Sequence, residues 1–423
     1  MERIAIIGTG VAGLGCAWNL RDQAHLTLFD KAARPGGHTN TVTVQESGRA
    51  VPIDTGFIVF NKVTYPNLCQ LFEETGVAIQ PSEMSFSVQH RPDGLEYNGM
   101  SLQKIFAQKR NLFRPRFYRL LAQIGRFFKV ANASLASGNA RNLTVRQYAD
   151  AHGFDADLLN YYLVPMSSAV WSTHPDEVLD FPAEMLIRFF YNHGFLGVQT
   201  HHPWFTVSNG SHTYLRKILA ATGEPRLDAE IVEISESPDA VQLRTADGYS
   251  DHFDRVIVAT HADEALALLA QPDDDQAALL GPWRYQHNAA TLHTDASCMP
   301  RKKIAWASWN YRMENSPDGN LRATTHYWMN ALQRVSEEQN YFVSINARGL
   351  IKPETILYET DYTHPGFTLD SLATQARLPS LNSRAAKQRV YFCGSYFRHG
   401  FHEDAYWSAV TLSHTISDHL RQS

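Results

Sequence analysis

The chain has 423 residues, of which 44% are hydrophobic and 19% are charged, and a formal net charge of -5 at pH 7. That composition is typical of a globular protein with two or three domains, and its mild acidity gives no overall signature of nucleic-acid binding. No run approaches the ~20 apolar residues that a transmembrane helix needs.

The cysteines and the N-terminus indicate a cytoplasmic protein. The four cysteines are scattered without a CxxC pair, which argues against cysteine-bound metal and against a disulfide framework. Asp22 and a glycine-rich turn interrupt the region where a signal peptide would need an unbroken apolar segment. We therefore expect a reducing, cytoplasmic environment.

The first thirty residues have the order strand, glycine turn, helix, strand and acid. Residues 4–7 are apolar, the turn reads GTGVAG over residues 8–13, and a helix is predicted over residues 14–20. A second strand over residues 26–29 ends at Asp30. This arrangement is the fingerprint of a dinucleotide-binding unit.

Each part of the fingerprint has a physical role. Gly8 permits the tight turn, Gly10 lets a pyrophosphate approach the backbone, and Gly13 lets helix and strand pack closely. The helix N-terminus points free N–H groups at the phosphates, and the acid can accept from a ribose hydroxyl. The predicted cofactor contacts of this unit are Gly8, Gly10, Val11, Ala12, Gly13 and Asp30.

A second glycine pair follows the second strand, although NAD binding does not require one. Arg34 can supply positive charge there, and the backbone of Gly36 and Gly37 can approach a pyrophosphate from its other side. The stretch resembles the FAD-binding entry of the flavin amine oxidase superfamily, which usually has Glu in place of Asp30 and commonly Arg in place of His38. From this resemblance we expect six further cofactor contacts: Lys31, Arg34, Gly36, Gly37, His38 and Thr39.

The resemblance extends to two later segments. A strand, hairpin and buried strand over residues 230–260 are similar to the superfamily's adenine-side segment, and a strand that stops at Gly394 is similar to the one beside the ribityl chain. The flavin-anchoring Cys of some amine oxidases has no counterpart before Gly400, which implies non-covalent FAD. The matching residues are Val232, Ala259, Thr260, Gly394, Ser395, His402, Glu403 and Asp404.

The resemblance implies an α/β fold. A Rossmann-like FAD-binding domain of the amine-oxidase type is expected to be discontinuous, with parts at residues 1–90, 205–282 and 366–423. The mixed α+β substrate domain is expected to contain a helical part at residues 91–204, which faces substrate or membrane, and an antiparallel sheet at residues 283–365.

Residues 97–149 contain ten Lys or Arg and no Asp or Glu, with aromatic residues between them. One interpretation is a set of helices that pack one face on the domain and leave solvated basic residues outside. The other is an interfacial surface, centred on residues 104–129, that docks on anionic lipid at the inner face of the membrane. Nucleic-acid binding is not favoured, because no recognition module is visible.

Four strand-like pieces over residues 289–293, 304–311, 324–329 and 341–345 suit an antiparallel sheet that roofs a pocket. Their aromatic side chains would either line that pocket or fill the core. The predicted pocket residues are Trp309, Tyr327, Trp328 and Tyr396.

The sequence does not identify a catalytic base. No HExxH motif occurs, and the histidine spacings predict no metal site. A buried histidine is more often a hydrogen-bonded core residue than a catalyst, which is the main alternative for His193. The candidate catalytic residues are His193, His402 and Glu403.

Motifs along nearly the whole chain resemble one bacterial subgroup of the superfamily. Its members accompany cyclopropane-fatty-acid-synthase-like methyltransferases, and some relatives are assigned as desaturases in methylated or furan fatty acid formation. The resemblance implies hydride transfer to FAD from an apolar substrate, such as a methylated unsaturated acyl chain of a membrane lipid, and a lipid methyltransferase in the same pathway. The motifs lie at residues 35–42, 54–61, 192–194, 292–295, 308–311, 328–330 and 400–404.

Other functions stay open at this point. No second GxGxxG that would hold NAD(P)H occurs, which favours an enzyme that takes electrons from its substrate or runs a redox-neutral cycle. An amine oxidase would place two aromatic rings before the flavin, and Tyr396 with Tyr406 could supply them. The further alternatives are a fatty-acid double-bond isomerase and a flavin-binding membrane adaptor without turnover.

Overall fold

The strands of the protein form two main sheets and three small ones. The computed structural model describes residues 1–197, 202–316, 321–383 and 388–422. In these ranges the strands are β1 (Arg3–Ile7), β2 (His25–Phe29), β3 (Thr41–Glu46), β4 (Arg49–Asp54), β5 (Phe60–Asn61), β6 (Ile79–Ser82), β7 (Phe86–His90), β8 (Leu95–Asn98), β9 (Trp204–Val207), β10 (Ile231–Glu236), β11 (Val241–Thr245), β12 (Ser250–Phe253), β13 (Arg255–Val258), β14 (Arg284–His293), β15 (Trp309–Asn315), β16 (Leu321–Trp328), β17 (Phe342–Ile345), β18 (Ile356–Gly366) and β19 (Val390–Phe392).

Among the described helices, none has the length and hydropathy needed to cross a membrane. The α-helices are α1 (Val11–Leu20), α2 (Pro66–Glu74), α3 (Leu102–Ile105), α4 (Pro115–Ser137), α5 (Val145–Ala151), α6 (Ala156–Leu158), α7 (Val164–Trp171), α8 (Pro175–Val178), α9 (Ala183–Asn192), α10 (His212–Thr222), α11 (Ala262–Leu268), α12 (Asp274–Leu280), α13 (Met329–Leu332), α14 (Leu369–Gln375) and α15 (His402–Gln422). Shorter 3-10 or π turns lie at Lys109–Phe113, Leu159–Leu163, Ala296–Cys298, Lys303–Ala305, Pro353–Thr355, Leu378–Asn382 and Ser395–Phe397.

A four-stranded parallel sheet with the order β19-β13-β1-β2 is the centre of the cofactor-binding half. Its strands come from the start, the middle and the end of the chain, so this half is assembled from distant segments. Ile4 and Ile6 on β1 and Val256 on β13 are fully buried, because helices cover both faces of a parallel sheet. The predicted α/β fold, with its discontinuous Rossmann-like half, is confirmed.

Helices α1 and α15 pack together beside this sheet at very close range. A Cβ on Gly15 would lie 2.8 Å from the Tyr406 ring and 2.9 Å from the Cβ of Ala409. Glycine at this position therefore brings the two helix axes near each other. Both helices begin at the same edge of the sheet and frame the site described below.

The second main sheet has seven strands in the order β18-β14-β17-β16-β15-β7-β8. Its pairs are antiparallel except β7 with β15, which run parallel. The predicted strand over residues 304–311 is wrong in its first half, because a 3-10 turn occupies Lys303–Ala305 and β15 begins only at Trp309. The other three predicted pieces lie within or largely within β14, β16 and β17.

The helices between β8 and β9 cover the seven-stranded sheet on one side. The long helix α4 buries one apolar face, with Phe117 and Leu120 against β7, β8 and Tyr161, and Phe127 near Phe190 of α9. Its other face carries exposed basic side chains. The amphipathic periodicity in the sequence reflects this division.

Candidate functional site

A cavity of about 880 Å³ lies at the carboxyl ends of β1, β2 and β13 and at the N-termini of α1 and α15. This is the place where open α/β sheets bind their ligands. Most predicted cofactor contacts line it, as does one predicted substrate residue. They are Gly8, Gly10, Val11, Ala12, Asp30, Lys31, Gly37, His38, Val232, Ala259, Thr260, Gly394, Ser395, Tyr396 and His402.

The turn between β1 and α1 requires its glycines for steric reasons. Gly8 has a φ of 98°, which favours glycine, and its N–H donates to the carbonyl of Phe29 at 2.8 Å. A Cβ on Gly13 would lie 1.9 Å from the carbonyl oxygen of Gly8, whereas a Cβ on Gly10 would meet nothing within 4 Å. Gly13 therefore serves packing, and Gly10 leaves open space beside the helix N-terminus.

Asp30 organises the turn from the end of β2. One carboxylate oxygen accepts from the backbone N–H of Thr9 at 2.8 Å and from its hydroxyl at 2.5 Å, and the other accepts from the N–H of Ala32 at 2.9 Å. Next to it, Lys31 forms an ion pair with Glu264 at 2.6 Å. The hydrogen bond from Lys31 to the Glu264 carboxylate is the main reason that the pKa of Lys31 is raised.

The second glycine pair faces the first across the cavity. A Cβ on Gly37 would lie 3.2 Å from the Cα of Gly10, so two backbones border the space where a pyrophosphate fits. Arg34 and Gly36 do not line the cavity. The Arg34 guanidinium donates to the carbonyls of Gly37 at 2.9 Å and Thr39 at 3.4 Å, and thereby holds the loop.

His38 lies in the cavity wall where the superfamily commonly has Arg. Its ring stacks on Tyr362, with centroids 4.9 Å apart, and meets His364 edge-on at 5.1 Å. Burial, followed by the neighbouring His364, lowers the pKa of His38 well below its usual value, so the ring is neutral. Its Nε2 is buried and has no described hydrogen-bond partner, as expected of a group that meets a bound ligand.

The two acids at the start of α15 hold loops together and do not line the cavity. The Glu403 carboxylate caps α2, since it accepts from the backbone N–H of Asn67 at 3.1 Å and of Leu68 at 2.9 Å. Asp404 accepts from the backbone N–H of His399 and Phe401 at 3.2 and 3.0 Å. Burial raises the pKa of Asp404 to about 7.

His402, at the N-terminus of α15, is the candidate catalytic histidine that does reach the cavity. Its ring stacks on Phe57 at 3.9 Å, and its Nε2 lies 2.6 Å from the hydroxyl of Tyr214. Burial lowers the pKa of His402 to about 3, so the ring is neutral and shares a hydrogen bond with the tyrosine hydroxyl. Tyr214 also contacts the hydroxyl of Thr39, which places this predicted residue behind the cavity wall.

His193 has the environment of a core residue. Its Nδ1 lies 2.9 Å from the carbonyl oxygen of Phe189 and its Nε2 lies 3.2 Å from the hydroxyl of Thr64. Its ring stacks on Phe189, and burial lowers its pKa to about 4. Both nitrogens have partners within the protein, and the ring does not line the cavity.

The aromatic residues predicted to line a pocket lie one layer further out, apart from Tyr396. The Tyr327 hydroxyl donates to the carbonyl of Ala169 on α7 at 3.4 Å, and Trp309 packs on Tyr327. Trp328 donates to Asn340 at 2.9 Å. Helix α7 therefore separates the rings of Trp309 and Tyr327 from the cavity. The wall at the α15 end is instead formed by Phe57, Val170, Trp171, Pro365, Tyr396 and Phe401.

A second cluster of ligand-type side chains, His293, Cys298 and His326, is buried inside the seven-stranded sheet. Ser344 Oγ lies 2.7 Å from His293 Nε2 and 2.6 Å from His326 Nδ1. The remaining ring nitrogens contact the N–H of Asp295 and the hydroxyl of Thr324. All four nitrogens thus have hydrogen-bond partners, which describes a polar core network, and the absence of a metal stays a prediction.

The comparisons with known proteins agree with this geometry. A family model for flavin containing amine oxidoreductases matches residues 11–416. The chain belongs to this family. It is an FAD-dependent oxidoreductase, and no curated protein sequence matches it.

Solved structures with the same fold cover nearly the whole chain. A fatty acid isomerase from P. acnes, described as CLA-producing, has a TM-score of 0.67 and 16% identity and covers 98% of each chain. Cyclohexylamine oxidase from Brevibacterium oxydans has a TM-score of 0.71 and 14% identity over 99% of each chain. Putrescine oxidase bound to putrescine has a TM-score of 0.68 and 13% identity over 99% of this chain and 98% of its own.

The residues present fit non-covalent FAD. The open space at Gly10, the facing backbone of Gly37 and the unpartnered Nε2 of His38 together make a cradle for a dinucleotide. Val232 and Asp30 lie at one end of the cavity and the N-terminus of α15 at the other. The N-terminus of α1 would hold the phosphates, Asp30 and Val232 would contact the adenosine, and the residues at the N-terminus of α15 would contact the flavin, which supplies a hydride acceptor when bound.

Proposed function

We propose that this enzyme desaturates an apolar substrate, a methylated unsaturated fatty acyl chain of a membrane lipid. The observation that carries the proposal is the wall at the α15 end of the cavity. It combines the apolar side chains of Phe57, Trp171 and Phe401 with neutral polar groups. Such a wall accepts a hydrocarbon chain.

The histidines of this wall carry no charge. Burial lowers the pKa of His402 to about 3 and that of His364 to about 4. When bound, FAD supplies a hydride acceptor. Desaturation removes a hydride from an allylic carbon and a proton from its neighbour, and the proton leaves to water. A lipid methyltransferase would supply the methylated chain.

Redox-neutral isomerisation is the second candidate. Of the titratable side chains that line the cavity wall at the α15 end, none is a clear base near neutral pH, since His364 and His402 have strongly lowered pKa values and burial raises that of Tyr396. Isomerisation leaves the electrons in the acyl chain and needs no external acceptor. The fatty acid isomerase with the same fold supports this alternative.

Amine oxidation has less support from the cavity. Tyr396 lines the wall, but Tyr406 packs against Gly15 of α1 and is not a described part of the lining. The two rings therefore do not form a pair in front of the flavin position. Because amine oxidases have the same fold, the experiment below also tests amines as substrates.

The decisive experiment mixes the holoenzyme anaerobically with a lipid that carries a methylated unsaturated acyl chain. We expect the visible flavin absorbance to bleach and mass spectrometry to show a product two hydrogens lighter. A product of unchanged mass with a moved double bond would establish isomerisation instead. Bleaching by amines alone would overturn the lipid proposal.

A pair of variants tests whether the aromatic wall matters. Trp171→Ala removes a ring of the wall, and we expect the rate of flavin bleaching to fall at least about tenfold. Tyr191→Ala removes a ring that is 57% exposed and should leave the rate unchanged. Equal rates in both variants would show that the acyl chain does not contact this wall.

A further inference from the structure

A second, basic cavity of about 430 Å³ lies between β7, β8 and the 3-10 turn at Lys109–Phe113. It shares no lining residue with the flavin cavity. The fold brings two distant segments to it, since Lys109 and Arg110 lie on one side and Arg301 and Lys302 on another. Neither segment predicts this pocket alone. Five cations line it, with one carboxylate: Arg91, Lys109, Arg110, Arg301, Lys302 and Glu96.

Most of these cations have no acidic partner within the described residues. The structure shows no ion pair for Lys109, Arg110, Arg301 or Lys302, although Arg91 approaches Glu314 at 3.4 Å. Two acids next to the cavity are already occupied. Asp93 bonds to the hydroxyl of Tyr161 and approaches His90, and Asp157 pairs with Arg116 at 2.7 Å.

A buried amide at this cavity lacks a partner. Gln89 is 2% exposed, its Oε1 accepts from the Nε of Arg91 at 2.8 Å, and its Nε2 has no described hydrogen-bond partner. Glu96 accepts from the backbone N–H of Arg301 at 3.2 Å, and its second oxygen is also without a described partner. A bound oxyanion would accept a hydrogen bond from the Gln89 amide. The cavity favours such an anion because its five cations outnumber its single carboxylate.

Exposed apolar side chains lie on the segments that adjoin the lining residues of the basic cavity along the chain. Phe113 is 85% exposed at the end of the same 3-10 turn, and Leu102 is 75% exposed on α3, which packs against the turn at Lys303–Ala305. The ring of Phe106 lies 5.8 Å from that of Tyr118 and so joins α3 to α4. Six of the thirteen exposed large hydrophobic side chains lie in these segments: Met100, Leu102, Leu112, Phe113, Tyr118 and Ile304.

We propose that this face is a membrane-docking surface: the basic cavity binds the phosphate of an anionic phospholipid, and Leu102, Leu112, Phe113 and Tyr118 enter the acyl layer. Unpaired cations beside exposed apolar side chains match a lipid surface, which offers phosphate above hydrocarbon. A nucleic acid would leave the apolar side chains in water. In this proposal the surface docks on the cytoplasmic leaflet of the inner membrane.

The proposal is independent of the proposed chemistry, because binding to vesicles is measured without turnover. The holoenzyme is pelleted with vesicles of phosphatidylglycerol and phosphatidylcholine, and with vesicles of phosphatidylcholine alone. We expect binding to the anionic vesicles only, with an affinity that falls as salt is added. Calorimetry with inorganic phosphate distinguishes a bilayer from a free anion.

Matched variants locate the binding surface. Arg301→Gln with Lys302→Gln should weaken binding to anionic vesicles about 30-fold. Arg216→Gln with Lys62→Gln removes two exposed cations elsewhere and should change it less than about threefold. Phe113→Ser should weaken binding about tenfold, because one inserted ring is lost.

Three results would overturn the proposal. One is equal binding to neutral and anionic vesicles. Another is an equal loss in both double variants, which would mean that net charge alone drives association. The third is tight binding of inorganic phosphate with no vesicle binding, which would assign the cavity to a soluble anion.

Discussion

The flavin cavity and the docking surface are built on opposite principles. The flavin site places polar groups out of water and satisfies most of them internally: Asp30 in the cavity wall, and Glu403 and Asp404 behind it, accept from backbone N–H groups, and His38 Nε2 is left for the cofactor. The docking surface leaves cations and rings such as Phe113 exposed and unpaired. Groups with internal partners shape a site for a resident cofactor, whereas groups without them are available for a partner outside the molecule.

Acidification should affect the two regions very differently, and this is the largest effect that we expect. Burial holds seven histidines neutral: five have pKa values of about 3 or about 4, the pKa values of the other two are lowered well below the usual value, and three of the seven line the cavity. They are His38, His193, His293, His326, His364, His399 and His402.

The sign follows from proton uptake. Below about pH 6.5 the unfolded chain protonates these histidines and the folded protein does not, so their contribution is present above that pH and lost as the pH falls. Asp54 and Asp404 act in the opposite direction, because burial raises their pKa values to about 6 and about 7. Burial also raises the pKa of Glu403, but seven groups outweigh three, and each net proton corresponds to about 1.4 kcal/mol per pH unit.

Urea unfolding of the holoenzyme at about pH 7 and about pH 5.5 measures this difference. We expect a clearly lower free energy of unfolding at the acidic pH. A rise on acidification would show that Asp54 and Asp404 dominate, and the histidines around the cavity would then be hydrated in solution.

Replacing Gly13 should be the most damaging single substitution on the cofactor side. In Gly13→Ala the new Cβ would lie 1.9 Å from the carbonyl oxygen of Gly8, so the turn or the helix has to move. We expect a loss of at least about 3 kcal/mol in the free energy of unfolding and of most bound flavin. Thermal melts and the flavin-to-protein absorbance ratio measure both.

Gly99→Ala is the matched control in the other region, since Gly99 directly follows β8 beside the docking surface. A Cβ at Gly99 meets nothing within 4 Å, so flavin content and stability should stay as in the parent protein. Full flavin content in Gly13→Ala would contradict the close packing of β1 and α1.

The two regions also differ in how far the sequence predicts them. The turn from Gly8 to Gly13 is constrained at each glycine by sterics, and the motif therefore indicates its own geometry. The contacts that reach the cavity from Val232 and Gly394 were predicted only through the family resemblance. No local pattern indicates that β13 and β19 join the same sheet.

Side-chain roles were less predictable than the fold. Glu403 and His193 have residue types suited to catalysis, but the first caps α2 and the second bonds to Phe189 and Thr64. Trp309 and Tyr327 are aromatic like pocket residues, but α7 lies between them and the cavity. Each of these outcomes depends on a distant segment, and hydrophobic periodicity carries no information about such contacts.

Glu403→Gln separates a structural from a catalytic role for that acid. The amide keeps one acceptor oxygen but loses the charge and the second acceptor at the N-terminus of α2. We expect the free energy of unfolding to fall by about 1–2 kcal/mol, as for a weakened helix cap. The rate of anaerobic flavin bleaching should stay within about twofold of the parent enzyme. A rate loss of about 100-fold at normal stability would restore Glu403 as a candidate base.

The smallest expected effect is at the exposed ring of the docking surface. Phe113 is 85% exposed and adds little to the core, so Phe113→Ser should change the free energy of unfolding by less than about 0.5 kcal/mol. The same ring is expected to matter about tenfold for vesicle binding. Phe113 is thus expected to matter for vesicle binding and not for the free energy of unfolding. Gly13 is the opposite case, because its role is the close packing of β1 and α1. If Phe113→Ser destabilised the protein in urea, the ring would be buried in solution, and the face that it marks would not be free to meet a bilayer.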